Sequence, residues 1–279
     1  MTLSPPVVVL PAFTDAEYTG DASEAEPWLD RYVFDQEVDL AGLTHPVLYS
    51  TDTGLALAPT GIGKSAAATT VSTLAAGDAV DLANATILSV GIAGCRPAAG
   101  TLGSVFIADR VVDWDIKLRI GDSTGRMQWL ADDYVWQLDE TLVERAATAA
   151  REVSLADSDR ATEIRGRYDD SRTPTVDVGP TVCGDEVYHG EATAHQVAAL
   201  CTSYDVGSFA TTQMEDAGTA TALERFGLLD QYLSIRAAAN FDREPAGGDP
   251  TESIDEDVFD LGIENAVRVG EAVADEFLD

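Results

Sequence analysis

Lysine is nearly missing from this 279-residue chain: of 17 cationic side chains only Lys64 and Lys117 are lysines, set against 49 Asp and Glu. With a net charge of -32, there is no cationic patch with which to track a phosphate backbone or an anionic bilayer, so neither nucleic acid nor a membrane surface is expected as a partner. Cysteine is scarce too. Cys95, Cys183 and Cys201 are odd in number and lie in no CxxC spacing, which argues against a disulfide framework or a thiolate metal site. His45, His189 and His195 form no metal-ligand helix motif, and no metal is expected. Long apolar runs are also lacking: none approaches the roughly eighteen residues of a membrane-spanning helix, so direct membrane insertion is not expected. The N-terminal Met1 to Leu10 has no cationic region and only a four-residue apolar run, and reads as a first strand, not a leader.

What the chain has in abundance is acid, spread along its length in blocks such as Asp255-Glu256-Asp257. Such a surface repels itself until concentrated salt screens it, the Debye length falling to roughly 3 Å at 1 M. The expectation is a cytoplasmic protein of a halophile. A hydrophobic content of 45% supports a folded core, and no Pro, Gly or Ser-rich linker divides residues 1–279, which read as one domain. Val7-Leu10, Leu55-Ala58, Thr86-Val90, Val105-Ala108 and Tyr232-Ile235 read as buried strands. Between and after them, Ser65-Ala76, Leu138-Val153, Ala192-Ser203, Thr219-Phe226 and Ile263-Phe277 carry helical spacing. Alternation of strand and helix implies an α/β layered domain with a largely parallel central sheet. Residues 113–180, with the acidic stretch Asp132-Asp133-Tyr134, read as a lid or an oligomer contact.

The most informative stretch is Thr212 to Leu223, which sets Met214-Glu215 at the mouth of a small-residue helix. Glu215 offers two acceptor oxygens to the hydroxyls of a cis-diol, Met214 a soft apolar surface for a furanose, and Ala217, Gly218 and Ala220 allow close packing behind. An acidic helix start that merely complements the helix dipole is the bland alternative. This segment resembles the ribose-binding segment of the nucleoside phosphorylase superfamily, and others follow in that family's order. Thr60 to Ala68 resembles its first glycine loop, as in the methylthioadenosine/S-adenosylhomocysteine nucleosidases; Ser89 to Gly94 its central strand and glycine turn; Gly100 to Asp109 the next strand; Ile235 to Arg243 the strand that faces the base. Within the superfamily, Glu24 to Leu29, Gly184 to Gly190 and Asn240 to Arg243 are similar to the purine nucleoside permease group.

The resemblance implies a three-layer αβα sandwich with a curled, mixed central sheet, and a purine nucleoside as ligand. It implies either glycosidic cleavage, releasing base and ribose or ribose 1-phosphate, or non-catalytic nucleoside binding linked to uptake. It also implies a homo-oligomer, and no cofactor beyond phosphate as a possible co-substrate. Residue by residue, Asn240 and Asp242 fall where members of the superfamily handle the base, Tyr188 and His189 where aromatic residues face the purine, and Gly91, Ile92 and Ala93 in the central turn. The phosphorylases carry an Arg before that turn and a Ser within it, both on phosphate; here Ser89 and Ile92 stand in those places. Lys64, Arg96 or Arg110 could substitute. Alternatively, Ala22 to Glu26 resembles the nucleosidase loop whose last Glu activates water, which assigns that role to Glu26.

Ala58 to Ser65 also fits a relaxed phosphate-loop pattern between strand and helix. A triphosphatase would need a later strand ending in Asp to hold magnesium, yet the next one ends Ser89-Val90-Gly91, and Pro59 stiffens the loop. In either reading Gly61, Gly63 and Lys64 form an anion loop at a helix N-terminus. The charge balance makes one prediction of its own. The melting temperature is expected to climb from dilute buffer to molar potassium chloride as 32 net negative charges are screened; a flat profile would contradict it.

Overall fold

The computed structural model describes residues 2–15, 22–121, 123–130, 134–253 and 258–278; Asp132, Asp133 and the Asp255-Glu256-Asp257 block lie outside them. In chain order the elements are β1 (Val7–Leu10), α1 (Glu26–Arg31), β2 (Gln36–Val38), β3 (Val47–Tyr49), β4 (Leu55–Leu57), α2 (Lys64–Ala76), β5 (Thr86–Cys95), β6 (Val105–Ile107) and β7 (Arg110–Asp113). They continue through β8 (Leu118–Ile120), β9 (Ser123–Gly125), β10 (Val135–Gln137), α3 (Glu140–Ala150), α4 (Asp159–Arg167), β11 (Val176–Val178), β12 (Thr181–Cys183) and α5 (Glu191–Ser203). Then come β13 (Thr211–Gln213), α6 (Asp216–Phe226), β14 (Tyr232–Phe241), α7 (Pro250–Ser253) and α8 (Phe259–Leu278).

Among the described residues twelve strands make one open, mixed sheet in the order β10-β7-β12-β13-β5-β1-β4-β3-β2, with β14 on the other edge of β5 carrying β6 and β11. Among the described residues β8 and β9 pair with each other in a separate two-stranded sheet. The sheet is the expected mixed centre of an αβα sandwich. Its β1, β4 and β5 core is parallel, whereas β13 runs antiparallel to β5 and β6 antiparallel to β14. The alternation of side chains along a strand fixes the layers. From β5, Ser89 points to α6, where Asp216 accepts its hydroxyl, while Val90 and Ile92 point to α8, against Gly270 and Gly262.

Two expectations are corrected here. The central strand does not stop at Val90 before a glycine turn: β5 runs on through Gly91 to Cys95, because β14 pairs with it in parallel along its whole length. For the same reason β14 extends past Ile235 to Phe241. The other edge of β5 is shared. β1 pairs with it up to Ser89 and β13 only from Gly94, leaving the backbone between them without a strand neighbour on that side among the described residues. Diverging neighbours at the carboxyl end of a central strand make the crevice in which open α/β sheets bind ligands.

The small-residue run after Glu215 has a packing cause. α6 crosses α2 so closely that a Cβ on Gly218 would lie 2.2 Å from the Lys64 carbonyl oxygen, and Ala217, Gly218 and Ala220 are buried in the contact. This brings the N-terminus of α6, with Glu215, against the N-terminus of α2, with Gly63. Hydrophobic side chains of β1, β4, β5 and β14 fill the centre of the core beneath them.

Candidate functional site

Over the gap in β5 lies a cleft of about 180 Å³, lined by Phe13, Ile62, Val187 and Phe259 as apolar walls, with Glu24, Glu215, Asn240 and Thr212 among its polar groups. Met214, Tyr188, Ile92 and Ala93 also line it. Six of the residues expected from sequence therefore meet in one place: Met214, Glu215, Tyr188, Ile92, Ala93 and Asn240. Asn240 is aimed there by a bulge, since the β14 register against β5 shifts between Ala238 and Asn240, and bulges re-aim side chains. Its amide nitrogen donates to the Phe241 carbonyl at 3.0 Å. Tyr188 packs edge-on against Trp114 with ring centroids 5.4 Å apart.

Glu215 is held from three sides. Gln213 Oε1 accepts the backbone N–H groups of Glu215 and Asp216 at 2.7 and 2.9 Å, fixing the turn into α6. Gly63 N–H donates to Glu215 Oε1 at 3.1 Å, and Arg236 Nη1 lies 3.3 Å from Oε2. Behind it, Asp216 is fully buried and accepts from Ser89, Tyr232, Ser234 and Arg236. Burial raises the Glu215 carboxyl above the usual range despite Arg236 and the Gly63 amide.

The sequence reading missed Glu24, which is buried beside Glu215 with Oε2 accepting from Ala12 N–H at 2.6 Å and Oε1 from Ile92 N–H at 2.7 Å. Those amides come from the chain just past β1 and from the unpartnered edge of β5. Its carboxylate sits on Gly91, where a Cβ would come within 2.1 Å of Oε1. One guanidinium, that of Arg236, thus faces three buried carboxyl groups: Glu24, Glu215 and Asp216. The shortfall falls on Glu24, whose pKa is raised to about 7 by burial, against Arg236 and with the neighbouring Glu215 adding to the rise.

Other expected residues lie elsewhere. Glu26 is exposed on the first turn of α1, where Ser23 Oγ accepts its backbone N–H at 3.0 Å. Pro27 sits in the first turn of α1, a position proline favours, and it assigns Glu26 to the helix start and leaves Glu24 for the interior. Asp242 does not continue the strand face of Asn240, because β14 ends at Phe241; it is buried with its carboxylate held by Arg243 at 2.7 and 2.9 Å. His189 donates from Nδ1 to the Phe241 carbonyl at 3.0 Å and does not line the cleft. Gly91 and Gly63 support Glu24 and Glu215 from behind, and Gly61 stands off the cleft lining.

The anion loop is already filled by the protein's own carboxylates. Gly63 N–H goes to Glu215 and Lys64 N–H to Asp185 at 2.8 Å. The Lys64 ammonium sits between Asp113 and Asp115 at 3.0 and 3.1 Å; burial lowers its pKa, but the two acids outweigh that and hold it above the ordinary lysine value. The substitutes for missing phosphate ligands are engaged as well, Arg96 with the Phe209 carbonyl and ring, Arg110 with Asp109. Among the described residues no His, Cys, Asp and Glu grouping could hold a metal ion, and no helix is long and apolar enough to cross a membrane.

Fold and cleft together define a nucleoside phosphorylase-like α/β protein. The purine nucleoside permease (NUP) family model matches residues 4–279, and the chain belongs to that family. A probable purine nucleoside permease of Schizosaccharomyces pombe is 27% identical over 263 residues, covering 79% of this chain and 75% of that protein. Among solved structures, the 5'-methylthioadenosine/S-adenosylhomocysteine nucleosidase of Neisseria meningitidis in complex with methylthio-immucillin-A matches at a TM-score of 0.66 and 18% identity, covering 96% of this chain and 98% of that one. Futalosine hydrolase of Helicobacter pylori matches at 0.63 and 16% identity, covering 98% of each chain. These likenesses show the fold.

Glu24 also ties stability to pH. The folded chain keeps its proton up to about 7, while the unfolded chain releases it near 4.5. Its contribution is therefore complete below about pH 4.5 and is lost as pH rises through about 7, a span worth at most roughly 3 kcal/mol. Urea unfolding is expected to show Glu24→Ala gaining on the wild type between about pH 5 and about pH 8; a difference that does not change with pH would contradict it.

Proposed function

We propose that the protein hydrolyses the N-glycosidic bond of purine ribonucleosides, with Glu24 as general base. The observation that carries this reading is the position of Glu24: a buried carboxyl at the floor of the cleft, poised near neutral pH, beside a second carboxylate suited to a ribose diol. A general base works best with a pKa near the working pH.

Cleavage sends the C1'–N9 electron pair into the purine and leaves an electron-poor sugar. Glu215, turned by Gln213 and charged by Arg236, accepts the two ribose hydroxyls on its remaining lone pairs, and Met214 packs under the furanose. Tyr188 offers the purine a π-face. The Asn240 amide has one hydrogen committed to Phe241, which leaves its oxygen and second N–H for the base as charge builds there. Glu24 takes a proton from the attacking water as the water oxygen bonds to C1', and the departing purine takes a proton from solvent, giving ribose and free base. Water is favoured over phosphate as nucleophile because the loop amides and neighbouring cations are already bound to carboxylates and carbonyls. These same bonds weigh against a triphosphatase.

The family description and the yeast relative's name favour a second reading, nucleoside binding without cleavage in the service of uptake. Incubation with inosine and adenosine in molar potassium chloride separates the two. Free base and ribose are expected with or without phosphate, and Glu215→Ala is expected to lose at least about 100-fold in kcat/KM, since two charge-assisted hydrogen bonds at about 1.5–3 kcal/mol each disappear. Intact nucleosides bound by the wild type would favour the uptake reading; full turnover by Glu215→Ala would remove the ribose assignment.

A further inference from the structure

Lys64 closes a ring of polar contacts behind one wall of the cleft without lining the cleft itself. Its backbone N–H donates to Asp185 Oδ1 at 2.8 Å, the Asp185 N–H donates to Asp115 Oδ2 at 2.6 Å, and the Lys64 ammonium returns to that same Oδ2 at 3.1 Å. Asp113 steadies the ammonium through both carboxylate oxygens at 3.0 Å and accepts the Asp115 N–H at 2.9 Å. Asp185 opens the segment 184–190, whose Glu186, Val187 and Tyr188 line the cleft. Trp114, between the two acids, backs that segment: it meets Tyr188 edge-on, and a Cβ on Gly184 would lie 2.5 Å from its Nε1. The far end is held separately, by the Gly190 N–H on the Asp242 carbonyl at 3.0 Å. Val187, between these anchors, is 77% exposed. Its place in the wall therefore rests on the anchors and not on packing around it.

We propose that Lys64 is a positioning residue for the base: the ring it closes with Asp115 and Asp185 latches the Glu186-Val187-Tyr188 wall to the loop that carries Ile62, and so sets the slot in which a purine lies. The role in base placement rests on the reading of Tyr188 as the purine's π-face, while the latch itself rests on the ring. The ammonium is what lets two acids stand together here. Without it Asp113 and Asp115 would face each other uncompensated in a half-buried place, and Asp115 would no longer be held on the Asp185 amide. The lysine of the phosphate-loop pattern thereby has a structural cause that needs no phosphate. Because the wall touches the base before and during bond cleavage alike, loosening it weakens binding and leaves the chemical step nearly unchanged.

The test compares the wild type with three variants in molar potassium chloride, each checked for folding by circular dichroism. Asp185→Ala opens the ring at an exposed side chain, Asp185→Asn keeps an accepting oxygen for the Lys64 amide, and Lys64→Met removes the cation. Hydrogen exchange over residues 184–190 is expected to quicken at least about 10-fold in Asp185→Ala and Lys64→Met and to stay within about 3-fold of the wild type in Asp185→Asn. Calorimetric titration with adenine and with hypoxanthine is expected to show the same two variants binding at least about 10-fold more weakly. With adenosine and inosine, KM is expected to rise by a similar factor while kcat stays within about 3-fold. Unchanged exchange in Asp185→Ala and Lys64→Met overturns the latch, whatever the activity. Faster exchange with unchanged purine affinity overturns the base-positioning role, as does a wild type that binds neither purine. If the purines bind but no nucleoside is cleaved, the hydrolytic reading falls and the affinities still decide the latch. Should Lys64→Met fail to fold, Asp185→Ala carries the same expectations.

Discussion

The buried guanidinium of Arg236 joins the sheet to the cleft. It reaches from β14 across to Ser89 on β5, to Asp216 at the start of α6 and to Glu215 in the cleft. The sheet and the α6 layer meet on one side chain. Removing it would strand buried carboxylates without a counter-charge, and breaking a buried pair in that way costs about 3–5 kcal/mol. The same side chain cannot neutralise three acids at once, and the imbalance reaches the cleft as a carboxyl, Glu24, held near neutrality. Stability and reactivity here share one charge balance.

The remaining polar groups follow from the way β5 is paired. Because β1 leaves its edge at Ser89 and β13 joins only at Gly94, backbone amides are exposed where a sheet would ordinarily consume them. Glu24 takes up one of these, and the Ala12 amide beyond β1 supplies its second donor. On the far side, the close crossing of α2 and α6 over Gly218 delivers Gly63 to Glu215 and closes the anion loop on the protein's own carboxylates. A chain with so few lysines also pairs both of them with Asp115.

Much of this was legible in the sequence where local chemistry decided it. Met214-Glu215 and the small residues after it predicted both a cleft carboxylate and a tight helix crossing, because only small side chains allow the close approach that Gly218 makes. The alternating elements predicted the layered α/β class. What escaped was set by tertiary pairing. The extension of β5 and β14 depends on each other's presence, and the short strands β2, β3 and β8 to β13 carry too few residues for a periodic pattern. The choice between Glu24 and Glu26 depends on where α1 begins, and Pro27, at home in a first helical turn, held that information. Asp242 escaped because β14 ends at Phe241 and a partner one residue away, Arg243, claims its carboxylate.

The charge balance at the cleft comes down to the titration of one buried carboxyl, Glu24, near neutral pH in the folded protein. Carbon-13 NMR of protein labelled at the glutamate carboxyl carbons, followed across the pH range in molar potassium chloride, measures it directly. One carboxyl resonance is expected to titrate at about 7 and to be missing from Glu24→Ala. A spectrum in which every glutamate has lost its proton by about pH 5.5, near the ordinary carboxylate range, would contradict the account.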